Sequence, residues 1–174
     1  MPSHLTVYLA GPAIFHPAAK ALLDYLRETC SKHGLEAITP LDGTVSDVGE
    51  DAEALEQARA IRQANVDKIR VCDVVIACTS PFRGPGADAG TAWEMGYAEA
   101  LGKPVIPWCE DTNQYLARVP HDRDDDGRVF CLQHGMLVED FGLSDNLMLT
   151  AGIIPVQPDF ETAVRLAASL RVHR

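Results

Sequence analysis

The chain has 174 residues, of which 47% are hydrophobic and 23% charged, a size and balance that suit one compact domain over residues 1–174 with a real core. Its formal charge of -10 repels a phosphate backbone, which excludes polymeric nucleic acid as an expected partner. No stretch approaches the roughly 18 unbroken apolar residues of a membrane span, and the start MPSHLTVYLAGP lacks the basic residues and cleavage site of a signal peptide, so a soluble cytoplasmic protein is expected.

Residues 5–10 (LTVYLA) are apolar, rich in β-formers and stopped by Gly11-Pro12, which predicts a first buried strand. After Pro17, a first-turn proline in this reading, Leu22, Tyr25, Leu26 and Cys30 recur at helical spacing until Gly34, and LEAITP follows as a second short strand. Turn formers fill residues 40–50. Asp51 is then placed to cap a long helix with Leu55, Ala58, Ile61, Val66 and Ile69 on or near its inner face. VVIACT, after Asp73, is too short and too β-branched for a helix and is the clearest strand. The loop SPFRGPGADAG leads into a helix with Trp93, Tyr97, Ala100 and Leu101 on one side, closed by Gly102, and KPVIPW supplies a fourth strand.

Beyond residue 109 the pattern weakens. RVFCL at 128–132 is a candidate fifth strand, residues 143–150 are ambiguous, and Phe160, Ala163, Val164, Ala167 and Leu170 mark a final helix. Parallel neighbours need a crossover and helices supply it, so the alternating order predicts an α/β fold, a doubly wound sheet of about five parallel strands flanked by helices. Five cysteines (Cys30, Cys72, Cys78, Cys109, Cys131), widely spaced and without a CxxC pair, write neither a zinc site nor a disulfide framework, and reduced thiols are expected. The acidic run Asp122–Gly127 lacks the closing Glu of a calcium loop and reads as a solvated loop. No metal and no cofactor are expected.

Ligands of open parallel sheets bind at the carboxyl ends of the strands, near the point where the chain order reverses. Three polar loops converge there: GPAIFHP with Gly11 and Phe15, PLDGTVSD with Asp42, and SPFRGPGADAG. In the third, Gly84, Gly86 and Gly90 allow close approach of a ligand, and Asp88 can cap the helix behind it. There is no Walker Lys-Ser/Thr and no GxGxxG, and an Asp at the helix mouth competes with phosphate. That carboxylate suits the hydroxyls of a sugar better. Glu94, six residues on, sits beside the Trp93/Tyr97 stripe and can point toward the strand ends. From spacing alone it is either a site carboxylate or an ordinary glutamate favoured by the helix dipole. Asp67 reads equally well as a solvated helix residue, and Tyr8 as a core ring whose hydroxyl alone suggests a role.

YLAGP at 8–12, PLD at 40–42, NVDKIRVCDVVIA at 65–77, DAGTAWEMGYAEALGKPV at 88–105 and GLSDNLM at 142–148 together resemble the nucleoside 2-deoxyribosyltransferases, in the correct order over roughly residues 5–150. The resemblance implies a flavodoxin-like fold and a retaining transfer of 2-deoxyribose between nucleobases, with deoxynucleosides and free bases as small-molecule partners. It implies Glu94 as the nucleophile that holds the sugar as an ester, Tyr8 as the hydroxyl that orients it, and Asp67 as the acid that protonates the departing base. Asp88 matches the residue that binds sugar hydroxyls, and Asn146 one that a neighbouring subunit contributes, so a homo-oligomer is implied. Gly11, Phe15 and Asp42 are further substrate-binding candidates on the first two loops. A related branch hydrolyses deoxynucleoside 5'-monophosphates but carries a Ser where this chain has Asp88, and a non-catalytic nucleoside or nucleotide sensor is the third reading. Residues 109–135 have no clear counterpart in the family.

Overall fold

The computed structural model describes residues 5–43, 53–111, 113–152 and 154–170. Asp51, expected to cap the second helix, lies outside the described residues, and the N-cap position is that of Glu53.

Four strands form one parallel sheet: β1 (Leu5–Ala10), β2 (Leu35–Ile38), β3 (Val74–Cys78) and β4 (Val105–Trp108), in the order β2-β1-β3-β4. Strands covered on both faces must be apolar throughout, and Val7 to Ala10 and Val74 to Ala77 are all buried. Alternation along β1 separates the two sides. Val7 and Leu9 join the cluster beneath α1 (Ala19–Lys32) and α6 (Phe160–Ser169), while Tyr8 and Ala10 join the one beneath α2 (Ala54–Val71) and α3 (Ala89–Ala100). The chain leaves β1 toward β2 on one side and returns to β3 on the other, which opens a crevice at the carboxyl ends of β1 and β3.

Among the described residues the parallel sheet has four strands, and RVFCL, the expected fifth, does not join it. Val129–Cys131 forms β6, which pairs antiparallel with β5 (His121–Arg123) in a separate two-stranded sheet, and a single parallel bridge from Trp108 to Gln157 is the only extension beyond β4 among the described residues. An apolar run of this length does not specify its partner. The acidic run forms the turn of this hairpin, where Asp124 accepts from the backbone N–H groups of Asp126 and Arg128. Two short helices, α4 (Tyr115–Arg118) and α5 (Leu147–Thr150), lie on the way to α6.

The helix faces also need correction. Buried Leu23, Leu26 and Cys30 set the inner stripe of α1, and Tyr25 falls outside it, exposed. In α2 the buried positions are Val66 and Ile69, whereas Leu55 and Ile61 face solvent. On α3, Thr91, Met95 and Ala98 are buried, and Trp93 and Leu101 are exposed.

Candidate active site

Gly11 ends β1 with φ 156, a conformation open to glycine, and a Cβ there would come within 2.9 Å of Cys78 Cβ at the end of β3. The two strand ends therefore approach closely, and the turn that follows (Pro12–Phe15) lines a cavity with Cys78 and Phe82.

Tyr8 crosses the sheet on the α2/α3 side, fully buried, and its hydroxyl donates to Glu94 Oε1 at 2.7 Å. Glu94 sits in the second turn of α3, half-buried. Burial pushes its carboxyl up to about 7 and Asp88 pushes the same way, against the lowering effects of the Tyr8 bond and of Lys68. Burial, with Glu94 adding to it, drives the Tyr8 phenol far above its ordinary range, so the phenol is a fixed donor. A cleft of about 280 Å³ beside Glu94 is lined by Arg62, Asn65, Gly90 and Trp93. Arg62 lies 4.7 Å over the Trp93 ring, which in turn stacks on Tyr97.

Asp88 caps α3 as expected: Oδ2 accepts from the Thr91 N–H at 2.9 Å and the Thr91 hydroxyl at 3.0 Å. The loop before it is held from the far end of the chain. Buried Asp145 accepts from the Ala87 N–H at 2.8 Å and from the Asn146 N–H at 2.7 Å, and Gly86 leaves room for its carboxylate. The Asn146 side chain is engaged within its own chain, donating to Glu139 Oε1 at 2.6 Å and capping α5 through the Met148 N–H.

The other expected site residues divide. Asp42 ties the loop after β2: it accepts from the Thr39 N–H at 2.6 Å and from Arg27. Burial alone would raise its carboxyl, but these bonds prevail and hold it below the usual range. Phe15 is exposed and stacks on Phe82 with centroids 5.4 Å apart, and the Arg83 guanidinium covers both rings. With Gly11 they border an apolar cavity of about 340 Å³ that reaches Leu26, Trp108 and Phe160.

Asp67 is not brought to Glu94. It is exposed on the outer strip of α2, where Arg70 donates to it at 2.9 Å and Gln63 at 3.0 Å. On α2, Asn65 lines the cleft with Glu94, Lys68 donates to the Pro40 carbonyl at 2.6 Å, and Asp67 stays on the exposed side with Arg70, which also donates to the Tyr97 hydroxyl at 2.8 Å. Asn65, Lys68, Asp145, Phe82 and Arg83 escaped the sequence reading. The buried spacing of Val66 and Ile69 was the available signal for the first two, and adjacency to Asn146 for Asp145.

Among the described residues no group of three or more His, Cys, Asp and Glu could hold a metal ion, and no helix is long and apolar enough to cross a membrane. All five cysteines are free.

A family model described as Nucleoside 2-deoxyribosyltransferase matches residues 7–148. The chain is similar to a 2-desoxiribosyltransferase from Leishmania mexicana, with 34% identity and a TM-score of 0.73 over 94% of this chain and 97% of that one. It shares 39% identity over 114 residues with an uncharacterized protein of Schizosaccharomyces pombe, a match spanning 65% of this chain and 54% of that relative. A 2-deoxyribosyltransferase from Bacillus psychrosaccharolyticus shares the fold at 18% identity, with a TM-score of 0.57 over 97% of this chain and 99% of that one.

Proposed function

The chain belongs to the nucleoside 2-deoxyribosyltransferase family, and on that premise we propose that it transfers 2-deoxyribose from one nucleobase to another through an ester on Glu94. The observation that carries this reading is the 2.7 Å bond from the buried Tyr8 hydroxyl to Glu94 Oε1, beside an open cleft. A structural glutamate on a helix surface has no need of a buried phenol.

In the first step a carboxylate oxygen of Glu94 bonds to the anomeric carbon as the carbon–nitrogen bond breaks, and the leaving base takes the electron pair and then a proton from water. In the second, a nitrogen of the acceptor base attacks the same carbon, the carbon–oxygen bond to Glu94 breaks to return the carboxylate, and the acceptor's proton passes to water. Two inversions give net retention. The deoxyribose lacks an electron-withdrawing 2'-hydroxyl, so the oxocarbenium-like state forms more readily. Tyr8 fixes the attacking group. Asp88 meets the sugar hydroxyls with the oxygen that does not cap the helix. Gly11 allows the sugar to approach the backbone, and Phe15 with Phe82 offers flat apolar surface to a base. Asp42 keeps the loop after β2 in place. Asn146 reaches a sugar only in a neighbouring subunit of a homo-oligomer, and there it must exchange its bond to Glu139. The acid role of Asp67 rests on resemblance alone.

Hydrolysis of deoxynucleoside 5'-monophosphates gains no support, because Asp88 puts a negative charge where that branch receives phosphate. The test is exposure to a 2'-fluoro-2'-deoxynucleoside, whose slow second step traps the ester, followed by peptide mass spectrometry. An adduct on the peptide carrying Glu94, together with exchange of one free base for another on an ordinary deoxynucleoside, is the expected result. No adduct on that peptide, or no exchange with any base pair, overturns the reading.

A further inference from the structure

The cleft beside Glu94 is lined by a single carboxyl, that of Glu94 itself, and by the N–H donors of Arg62, Asn65 and Trp93. Arg62 and Asn65 stand a turn apart on the same side of α2. Each is held. The Lys68 ammonium, anchored on the Pro40 carbonyl at 2.6 Å, donates to Asn65 Oδ1 at 3.3 Å. An ammonium can only donate, so the amide oxygen faces Lys68, and the amide NH2, which makes no bond among the described residues, is the end left for the cleft. The Arg62 guanidinium lies 4.7 Å from the centre of the Trp93 ring, and Trp93 stacks on Tyr97, whose hydroxyl accepts from Arg70. A guanidinium set on a ring face keeps its N–H edge for another partner.

We propose that Asn65 and Arg62 form an anion hole for the departing base. The Asn65 amide donates to the acceptor atom that flanks the breaking bond, the O2 carbonyl of a pyrimidine or N3 of a purine, and Arg62 supplies the opposing charge. The proposal rests on the reading of Glu94 as nucleophile. When the carbon–nitrogen bond breaks, its electron pair goes to the base and spreads onto that acceptor atom. The atom flanks the nitrogen bonded to the anomeric carbon, so a sugar seated on Glu94 brings it into the same cleft. Donors placed there stabilise the base more as an anion than as part of the intact nucleoside, which is the condition for a lower barrier. The proton arrives from water afterwards, and the step needs no side-chain acid. Asp67 can then remain on the exposed strip of α2 with Arg70.

The test compares 2'-deoxyadenosine with its 3-deaza analogue, in which C–H replaces N3, as donors to a common acceptor base. Taking the ratio of kcat/KM for the two donors in parent and variant cancels their intrinsic difference in leaving ability. That ratio is expected to fall roughly 10-fold or more in Asn65→Leu. In Arg62→Met the rate loss is expected to grow with the basicity of the departing base. Thymidine against 2-thiothymidine carries the same comparison if the chain takes pyrimidines alone, and Asn65→Ala replaces the leucine variant should that one not fold. An unchanged ratio in the folded Asn65 variant, or a loss equal across all bases in Arg62→Met, overturns the proposal. Should the parent exchange no base, calorimetry of the free bases adenine and 3-deazaadenine still reads the contact. A preference for adenine that disappears in Asn65→Leu upholds the contact while the transfer reading falls, and no such preference overturns both.

Discussion

The Tyr8 hydroxyl and Glu94 Oε1 meet at 2.7 Å across 86 positions of sequence, joining the middle of the sheet to the second turn of α3. The bond is charge-assisted when Glu94 is ionised, and such bonds contribute about 1.5–3 kcal/mol. Tyr8→Phe keeps the buried ring and removes the donor. Base exchange is expected to fall on the order of 10- to 100-fold in kcat, with the fold retained. Because the Tyr8 bond lowers the Glu94 carboxyl, its loss must also move the acid limb of kcat/KM to higher pH. Initial rates from pH 5 to 9 for both proteins check this, and an unmoved limb would separate Tyr8 from the ionisation of Glu94.

Glu94 also links stability to pH. Its carboxyl stands at about 7 in the folded chain against an ordinary 4.5, so the folded state binds the extra proton between those values. Stability is therefore undiminished by this group below about pH 4.5, declines as pH rises through that window, and carries the full penalty above about 7. Glu94→Gln retains an acceptor for Tyr8 and cannot ionise. Its stability should exceed that of the parent by on the order of 2 kcal/mol at pH 8, and the difference should shrink below about 1 kcal/mol at pH 5. Urea denaturation at the two pH values measures it. The parent's kcat/KM, by contrast, should fall below pH 7 as the nucleophile takes up a proton.

Asp67 shows how a motif can name a residue that its helix turns away. With Arg70 and Gln63 as partners and more than half its side chain exposed, it occupies the position of a surface ion pair, whose removal costs little. Asp67→Asn is expected to lower kcat less than about threefold on this ground. A general acid would behave differently, with a loss graded by how poorly each base departs. A series of donor nucleosides with bases of different basicity distinguishes the two, and a graded loss would return Asp67 to the chemistry.

The sheet was legible because LTVYLA and VVIACT are apolar on both faces, which only a covered strand requires. RVFCL misled because three of its residues make a hairpin edge, and apolar character does not reveal a strand's partner. The cap formed by Asp88 was legible for a local reason, whereas spacing left Glu94 open and only the resemblance singled it out. Lys68 and Asn65 were not legible. Their orientation depends on the phase of α2, which Leu55 and Ile61, read as inner residues beside the correctly placed Val66 and Ile69, blurred. The aromatic pair Phe15 and Phe82 joins loops from different strands, and no local pattern reports such a meeting.

Asp145 offers the strongest case of a residue that shapes the site from outside it. It is 4% exposed, and its two oxygens accept backbone N–H groups of Ala87 and Asn146 at 2.8 and 2.7 Å. Ala87 immediately precedes Asp88, so this carboxylate sets where α3 begins and thereby where Asp88 and Glu94 stand. Asp145→Ala leaves both N–H groups without their acceptor, which costs about 2–3 kcal/mol of stability. Asp145→Asn fills the same space, keeps one acceptor and should recover part of that loss. A role confined to stability would leave the kinetics of folded protein unchanged at low temperature. Because Asp88 is the proposed sugar ligand, KM for the donor nucleoside is expected to rise more than kcat falls in both variants, and the alanine change should be the larger. Equal KM values in parent and variants, measured where all are fully folded, would confine Asp145 to holding the chain together.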